Sequence, residues 1–246
     1  MTEKLDVVIR KDENYTLYMD FYTDENDDNK KKPCVMWIHG GAWCVKELTR
    51  KYIPQEFKKW VDAGYMVASC EYRLSQEAIW PAQIEDCRYS FKYLQDNADE
   101  LGIDKDNIFI WGESAGGHLT AFLANDGEAA GACIWYPPVY FKDIPAGTVE
   151  AEWIELLVGS PDYNSEENRQ KISPLFTVNR NTCPCLIMHG DVDELVNISQ
   201  SEMLVELMEK NDVDVTFVTV PEQGHGFFKG EKYYDLILQW MNDRIV

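Results

Sequence analysis

The chain has 246 residues, 45% hydrophobic and 27% charged, which is ordinary globular composition and length enough for one α/β domain spanning residues 1–246. Its 43 acidic and 23 basic side chains leave a net charge of −20, a field that repels phosphate backbones and anionic lipid and argues against nucleic-acid and membrane partners. No apolar run is long enough to span a bilayer, and the opening residues Met1-Thr2-Glu3-Lys4-Leu5-Asp6 lack the basic and apolar regions of a signal peptide.

Residues 5–10 and 15–22 alternate apolar and polar around Lys11-Asp12-Glu13-Asn14, which predicts an antiparallel hairpin at one edge of a sheet. Residues 23–32 are charged and polar and read as a surface loop. Cys34-Val35-Met36-Trp37-Ile38 is continuously apolar, as a strand buried on both faces should be. It ends in His39-Gly40-Gly41-Ala42-Trp43, where two glycines allow a backbone path whose N–H groups point into a cleft; a plain glycine turn accounts for the same residues.

Residues 50–63 have helical spacing stopped by Gly64, and residues 65–72 form another buried strand. Pro81 opens a helix expected to run to about Leu101. Strands are predicted at residues 108–112, 132–136, 185–188 and 213–220, and helices from His118, over 198–210 and over 232–245. Between 139 and 178 the pattern loosens, with one short amphipathic piece at 153–158 between polar loops, into a cap-like excursion that could cover a cleft; an irregular crossover accounts for the same residues. Strands alternating with helices imply a mostly parallel sheet with helices on both faces and an antiparallel N-terminal edge hairpin. The seven cysteines sit mostly in apolar stretches with no Cys-x-x-Cys spacing, so reduced thiols in a cytoplasmic protein are expected.

The stretch with the clearest chemistry is Gly112-Glu113-Ser114-Ala115-Gly116-Gly117, entered from an apolar strand and followed by a helix. A serine at the apex of so tight a turn needs flanking residues that are nearly absent, and the glycines supply that space. The helix begins beside it, with free N–H groups and a positive dipole end where an oxyanion would form.

A serine hydroxyl needs a base to take its proton, and the chain has four histidines. His39 opens the glycine turn and His189 ends a strand before Gly190, so both suit a scaffold role. His118 lies one turn past Ser114, too constrained to swing over the hydroxyl. His225, in Gln223-Gly224-His225-Gly226-Phe227, is flanked by glycines in a loop after the last strand and is the base by elimination. The acid comes from the loop His189-Gly190-Asp191-Val192-Asp193-Glu194. Asp193 is preferred, with Asp191 in reserve as a residue that shapes the turn. The chain order Ser, Asp, His, each after a successive strand, is that of the α/β-hydrolases.

The whole pattern resembles the α/β-hydrolase superfamily, in particular the branch of bifunctional feruloyl/acetyl-xylan esterases and hormone-sensitive-lipase-like enzymes. The segments that carry the resemblance are the His39 to Trp43 turn, Tyr72-Arg73-Leu74-Ser75, Pro81 to Asp86, the Ser114 elbow, Ser173-Pro174, His189 to Val196 and His225-Gly226-Phe227. It implies Ser114, Asp193 and His225 as the triad, an oxyanion hole from the N–H groups of Gly41, Ala42 and Ala115, and an ion pair between Arg73 and Asp86. Ala42 stands where lipase-type members have a third glycine, and the N-terminal helical cap of hormone-sensitive-lipase-like enzymes is missing, which speaks against lid-dependent action on large lipids.

The expected activity is hydrolysis of short acyl esters, in particular acetyl or feruloyl esters of carbohydrates such as xylo-oligosaccharides, through an acyl-enzyme and with no metal or organic cofactor. Activity should fall in acid as the base protonates. Trp43, Tyr136 and Trp153 are candidates for the substrate pocket, and Trp80, Tyr140 and Phe227 could line the cleft as well, although packing in the core or under loops is the better reading of Trp80 and Phe227. An arylformamidase is the alternative enzyme, suggested by the His-Gly-Gly-x-Trp turn. A ligand-binding protein that has lost catalysis is the alternative of another class. Oligomeric state is not legible in the sequence.

Overall fold

A computed structural model describes residues 1–24, 30–52, 56–142 and 144–246. Among them, eight strands form one sheet in the order β1-β2-β4-β3-β5-β6-β7-β8. The strands are β1 (Thr2–Lys11), β2 (Thr16–Thr23), β3 (Lys32–Ile38), β4 (Met66–Cys70), β5 (Ile103–Glu113), β6 (Gly131–Trp135), β7 (Cys185–Gly190) and β8 (Val215–Val220). β1 pairs antiparallel with β2, and β2 antiparallel with β4; every later pairing is parallel. The expected architecture is therefore the one adopted.

The apolar runs form central strands because both of their faces are covered. Met36, Ile38, Ile110 and Ile134 face one apolar layer, with Ile84, Phe91, Leu119 and Leu204 of the helices α2 (Ala82–Asp96), α4 (Ala115–Asp126) and α7 (Ser199–Lys210). Val35, Trp37, Phe109 and Trp111 face the other, with Trp60 of α1 (Phe57–Asp62) and Ile237 and Trp240 of α8 (Glu231–Asn242). Trp60 stacks on Trp111 at 4.9 Å, and Trp111 meets Trp135 edge-on at 5.1 Å. Aromatic pairs at such spacings add to simple area burial.

Three expectations from the sequence need correction. The helix entered at Pro81 does not run unbroken to residue 101. Pro81 is its N-cap, α2 ends at Asp96, and a single turn α3 (Ala98–Leu101) follows. The two meet at Asn97, whose backbone N–H and side-chain amide both donate to the Tyr93 carbonyl, at 3.1 and 2.8 Å. The helical spacing over 50–63 yields only α1; residues 53–55 lie outside the described residues, as do residues 25–29 of the loop expected over 23–32. Arg50 sits instead in a turn, paired with Asp6, Asp20 and Glu71. Segment 139–178 contains more order than its pattern suggests: α5 (Val149–Val158), α6 (Glu166–Ile172) and a 3₁₀ turn (Pro174–Thr177). Thr148 and Ser165 cap α5 and α6 through their hydroxyls.

The register decides what meets at the carboxyl edge of the sheet. Ile38 is level with Gly112, Gly112 with Ile134, Met188 with Trp135, and Gly190 with Val220. The turns leaving β3, β5, β7 and β8 therefore converge on one crevice, the usual ligand position in open parallel sheets. β6 lies between the strands that lead to Ser114 and Asp193, so the three residues do not follow successive strands.

Candidate active site

Ser114 stands between β5 and α4 with φ 53° and ψ −119°. A side-chain-bearing residue adopts that conformation only where its surroundings compel it. The compulsion is steric. A Cβ on Gly112 would lie 2.4 Å from the Gly116 carbonyl oxygen, and one on Gly116 would lie 2.1 Å from the Ile38 carbonyl oxygen. Only glycine at both positions lets β5, α4 and β3 approach so closely. The Ser114 N–H donates to the Trp135 carbonyl at 3.0 Å, which pins the apex to β6.

Asp193 lies in the loop after β7. Its Oδ1 accepts the N–H groups of Leu195 and Val196 at 3.0 and 2.9 Å. Its Oδ2 is 2.8 Å from His225 Nδ1 and 3.4 Å from His189 Nε2. Burial works against ionisation of this carboxyl, but the hydrogen bonds from the two imidazoles and from Val196 outweigh it and hold the pKa well below the usual carboxylate range. Asp191, the reserve candidate, points elsewhere and accepts from the Glu222 N–H at 2.7 Å, so it shapes the turn.

His225 Nε2 is 2.9 Å from Ser114 Oγ. An ionised Asp193 can only accept, so Nδ1 carries the hydrogen and Nε2 presents its lone pair to the hydroxyl. Tyr136 meets the imidazole edge-on at 4.7 Å and limits its tilt. The other three histidines are each held elsewhere. His39 Nδ1 is 2.8 Å from the Gly40 carbonyl oxygen, and its ring stacks on Tyr72 at 4.2 Å. His189 Nδ1 is 2.7 Å from the Ser201 hydroxyl, with Nε2 2.8 Å from the Val196 carbonyl. His118 is fully buried on α4.

A cavity of about 520 Å³ opens beside Ser114. It is lined by Ala42, Trp43 and Ala115, by Tyr140, Ile144 and Trp153 of segment 139–178, and by Leu195 and Gln200. Trp43 and Trp153 are thus at the cavity, whereas Tyr136 is not. It is fully buried beneath the site, packed on His225 and Phe228. Its place directly after the wholly buried strand β6 turns the ring inward. Trp80 packs against His118 and Phe122, and Phe227 against Tyr52 and Trp135. Gly41 and Ala42 both have positive φ, 103° and 48°, and neither N–H is used in a backbone hydrogen bond among the described residues. Arg73 and Asp86 form the expected ion pair, with two guanidinium contacts of 2.7 and 2.8 Å.

Glu113 escaped the sequence reading. Its carboxylate is buried under the turn after β3 and accepts the Gly40 N–H at 2.8 Å. Burial raises its pKa, with the Gly40 hydrogen bond and the nearby His225 and His39 opposing the rise. An acidic residue wedged between Gly112 and Ser114, just after a wholly apolar strand, was the signal for it. Among the described residues, no group of three or more His, Cys, Asp or Glu side chains is disposed to hold a metal ion, and no helix is long and apolar enough to cross a membrane.

A family model described as BD-FAE matches residues 19–208. Esterase LipC of Mycobacterium tuberculosis is 24% identical over 240 residues, which cover 85% of this chain and 56% of LipC. The chain spans about half the length of the curated relatives it matches. A truncated form of a carbohydrate esterase from gut microbiota superposes with a TM-score of 0.85 and 24% identity, over 99% of this chain and 96% of that one. An acetyl ester-xyloside bifunctional hydrolase from Caldicellulosiruptor lactoaceticus superposes with a TM-score of 0.81 and 16% identity, over 96% and 95%. These likenesses show the fold to be that of the α/β-hydrolases.

Proposed function

The chain belongs to the BD-FAE family, and on that premise we propose that it is a serine carboxylesterase acting on short acyl esters of carbohydrates, acetyl esters above all. The observation that carries the proposal is the hydrogen-bonded line from Asp193 through His225 to Ser114 beside a cavity with aromatic walls. The name of LipC supports ester hydrolysis, and those of the two solved structures support a carbohydrate ester.

Ser114 Oγ attacks the ester carbonyl as its proton passes to His225 Nε2 at 2.9 Å. Asp193, ionised and fixed by two backbone N–H groups, stabilises the imidazolium that results. The N–H groups of Gly41, Ala42 and Ala115 receive the negative oxygen of the tetrahedral intermediate. Collapse breaks the bond to the alcohol oxygen, which leaves with the proton from His225. Water then gives its proton to His225 as it adds to the acyl carbon; the second tetrahedral intermediate breaks its bond to Ser114 Oγ, which takes that proton back from His225 as the acid is released.

The test is a panel of nitrophenyl esters of rising acyl length, acetylated xylo-oligosaccharides, methyl ferulate and N-formylkynurenine, run on the wild type and on Ser114→Ala. Release of acetate from the oligosaccharides that disappears in Ser114→Ala is the expected result. Turnover of N-formylkynurenine alone would make the protein an arylformamidase. Ester hydrolysis that survives in Ser114→Ala would remove the mechanism altogether.

A further inference from the structure

The proposed mechanism leaves unused a fully buried imidazole one turn behind the nucleophile. His118 is boxed in by the rings of Trp43 at 4.9 Å, Phe122 at 5.2 Å, Trp80 at 5.5 Å and Phe141 at 5.6 Å. Inside that box it has two polar contacts. The Trp43 indole N–H lies 3.2 Å from Nδ1, and the Ile172 carbonyl oxygen lies 2.6 Å from Nε2. An indole N–H can only donate and a carbonyl can only accept. Both bonds therefore form in one state alone, the neutral imidazole with its hydrogen on Nε2.

The two partners come from parts of the chain that never touch in sequence. Trp43 belongs to the turn after β3 and forms part of the cavity beside Ser114. Ile172 ends α6 in segment 139–178, which also contributes residues to the lining. The turn is strained, since Gly41, Ala42 and Trp43 have φ of 103°, 48° and 59° in succession, and such a run persists only where neighbours hold it. Ser75 holds the Trp43 carbonyl through its N–H and hydroxyl, at 2.8 and 3.2 Å. The indole itself is held by His118.

We propose that His118, its tautomer fixed by the Ile172 carbonyl, is a positioning residue that locks the Trp43 indole to the nucleophile helix and thereby sets the acyl length that the cavity accepts. The proposal rests on the esterase reading of Ser114. Without an acceptor at Nδ1 the nearly buried indole N–H is unpaired, as those of Trp37, Trp111, Trp135 and Trp240 are, but unlike them Trp43 borders the cavity. The ring then turns into the cavity to reach water and shortens the space for a long acyl chain.

Two variants separate the two bonds. Glutamine at 118 reaches the Nε2 position and still donates to Ile172, but leaves Trp43 without an acceptor. Asparagine reaches the Nδ1 position and still accepts from Trp43, but leaves the Ile172 carbonyl bare. The measurement is kcat/KM for nitrophenyl acetate, butyrate and octanoate, with folding checked by thermal unfolding. In His118→Gln the octanoate-to-acetate ratio should fall about tenfold, the value of one lost buried hydrogen bond, while His118→Asn stays near wild type. In a Trp43→Phe background no N–H remains to be orphaned, so His118→Gln should produce no further change in the ratio. That background also carries the test if His118→Gln alone does not fold. An equal loss on all three esters, or an unchanged ratio, overturns the proposal. Wild-type protein that hydrolyses none of the three esters overturns the esterase reading, and this inference with it.

Discussion

Acidification should expose the state in which His118 is held. Burial among four rings pushes its pKa down from 6.5 to about 4, opposed only by the hydrogen bond to the Ile172 carbonyl. No charged side chain takes part in that shift. In the unfolded chain the imidazole has its ordinary affinity for protons, so as pH falls below 6.5 the unfolded state binds a proton that the folded state refuses. Stability then falls with pH, and the loss levels off below the folded pKa near 4. With about 1.4 kcal/mol per pKa unit, the loss from this residue is about 2 kcal/mol by pH 5 and about 3 kcal/mol by pH 4. Many carboxylates titrate over the same range, so the contrast must be with a variant. Urea unfolding of wild type and His118→Gln at pH 7.5 and pH 5 isolates the term. The wild type should lose about 2 kcal/mol more than the variant over that interval. Parallel losses would mean that the imidazole is not held neutral, and the assignment of its hydrogen bonds would fall too.

Three further outcomes are expected. Asp193→Asn removes the anion that fixes the His225 tautomer, and kcat on nitrophenyl acetate should fall by about 10³–10⁴ with little change in KM; a drop of less than about tenfold would take Asp193 out of the triad. Gly116→Ala places a Cβ 2.1 Å from the Ile38 carbonyl oxygen and 2.6 Å from that of His39; since both neighbours are backbone, chemical denaturation should show a loss of about 3 kcal/mol or more, and an unmoved midpoint would contradict the packing. Asp86→Ala leaves the Arg73 guanidinium and N–H without a buried partner, and should cost about 3 kcal/mol. In that case Arg73→Met added to Asp86→Ala should cost less than the two changes summed, and simple additivity would argue against a coupled pair.

Some of the molecule was legible because its causes are local. Continuous apolar runs such as Cys34 to Ile38 announce strands covered on both faces, and the alternation near the N-terminus announces an edge hairpin. The serine turn was legible because its requirement is steric and confined to a few neighbours: Gly112 and Gly116 must lack a Cβ wherever such a turn occurs. Elimination among four histidines pointed to His225, and the loop after Met188 offered Asp193 with Asp191 in reserve; the structure puts both side chains in line with Ser114. What the chain could not state was distance. The Asp193 and His225 side chains are 32 residues apart, His225 and Ser114 111, and Trp43 and His118 75. Tyr136 was misplaced at the cavity because an aromatic residue at a strand end can face either side, and packing on His225 and Phe228 decides which. The contacts of Glu113 and His118 were not legible for the same reason, as their partners lie on other strands and segments. Composition and periodicity determine which residues must be buried and where the chain must turn. Which buried polar atoms face each other is decided by the register of the sheet and the docking of segment 139–178, because a hydrogen bond depends on tenths of an ångström that arise only when separate elements pack.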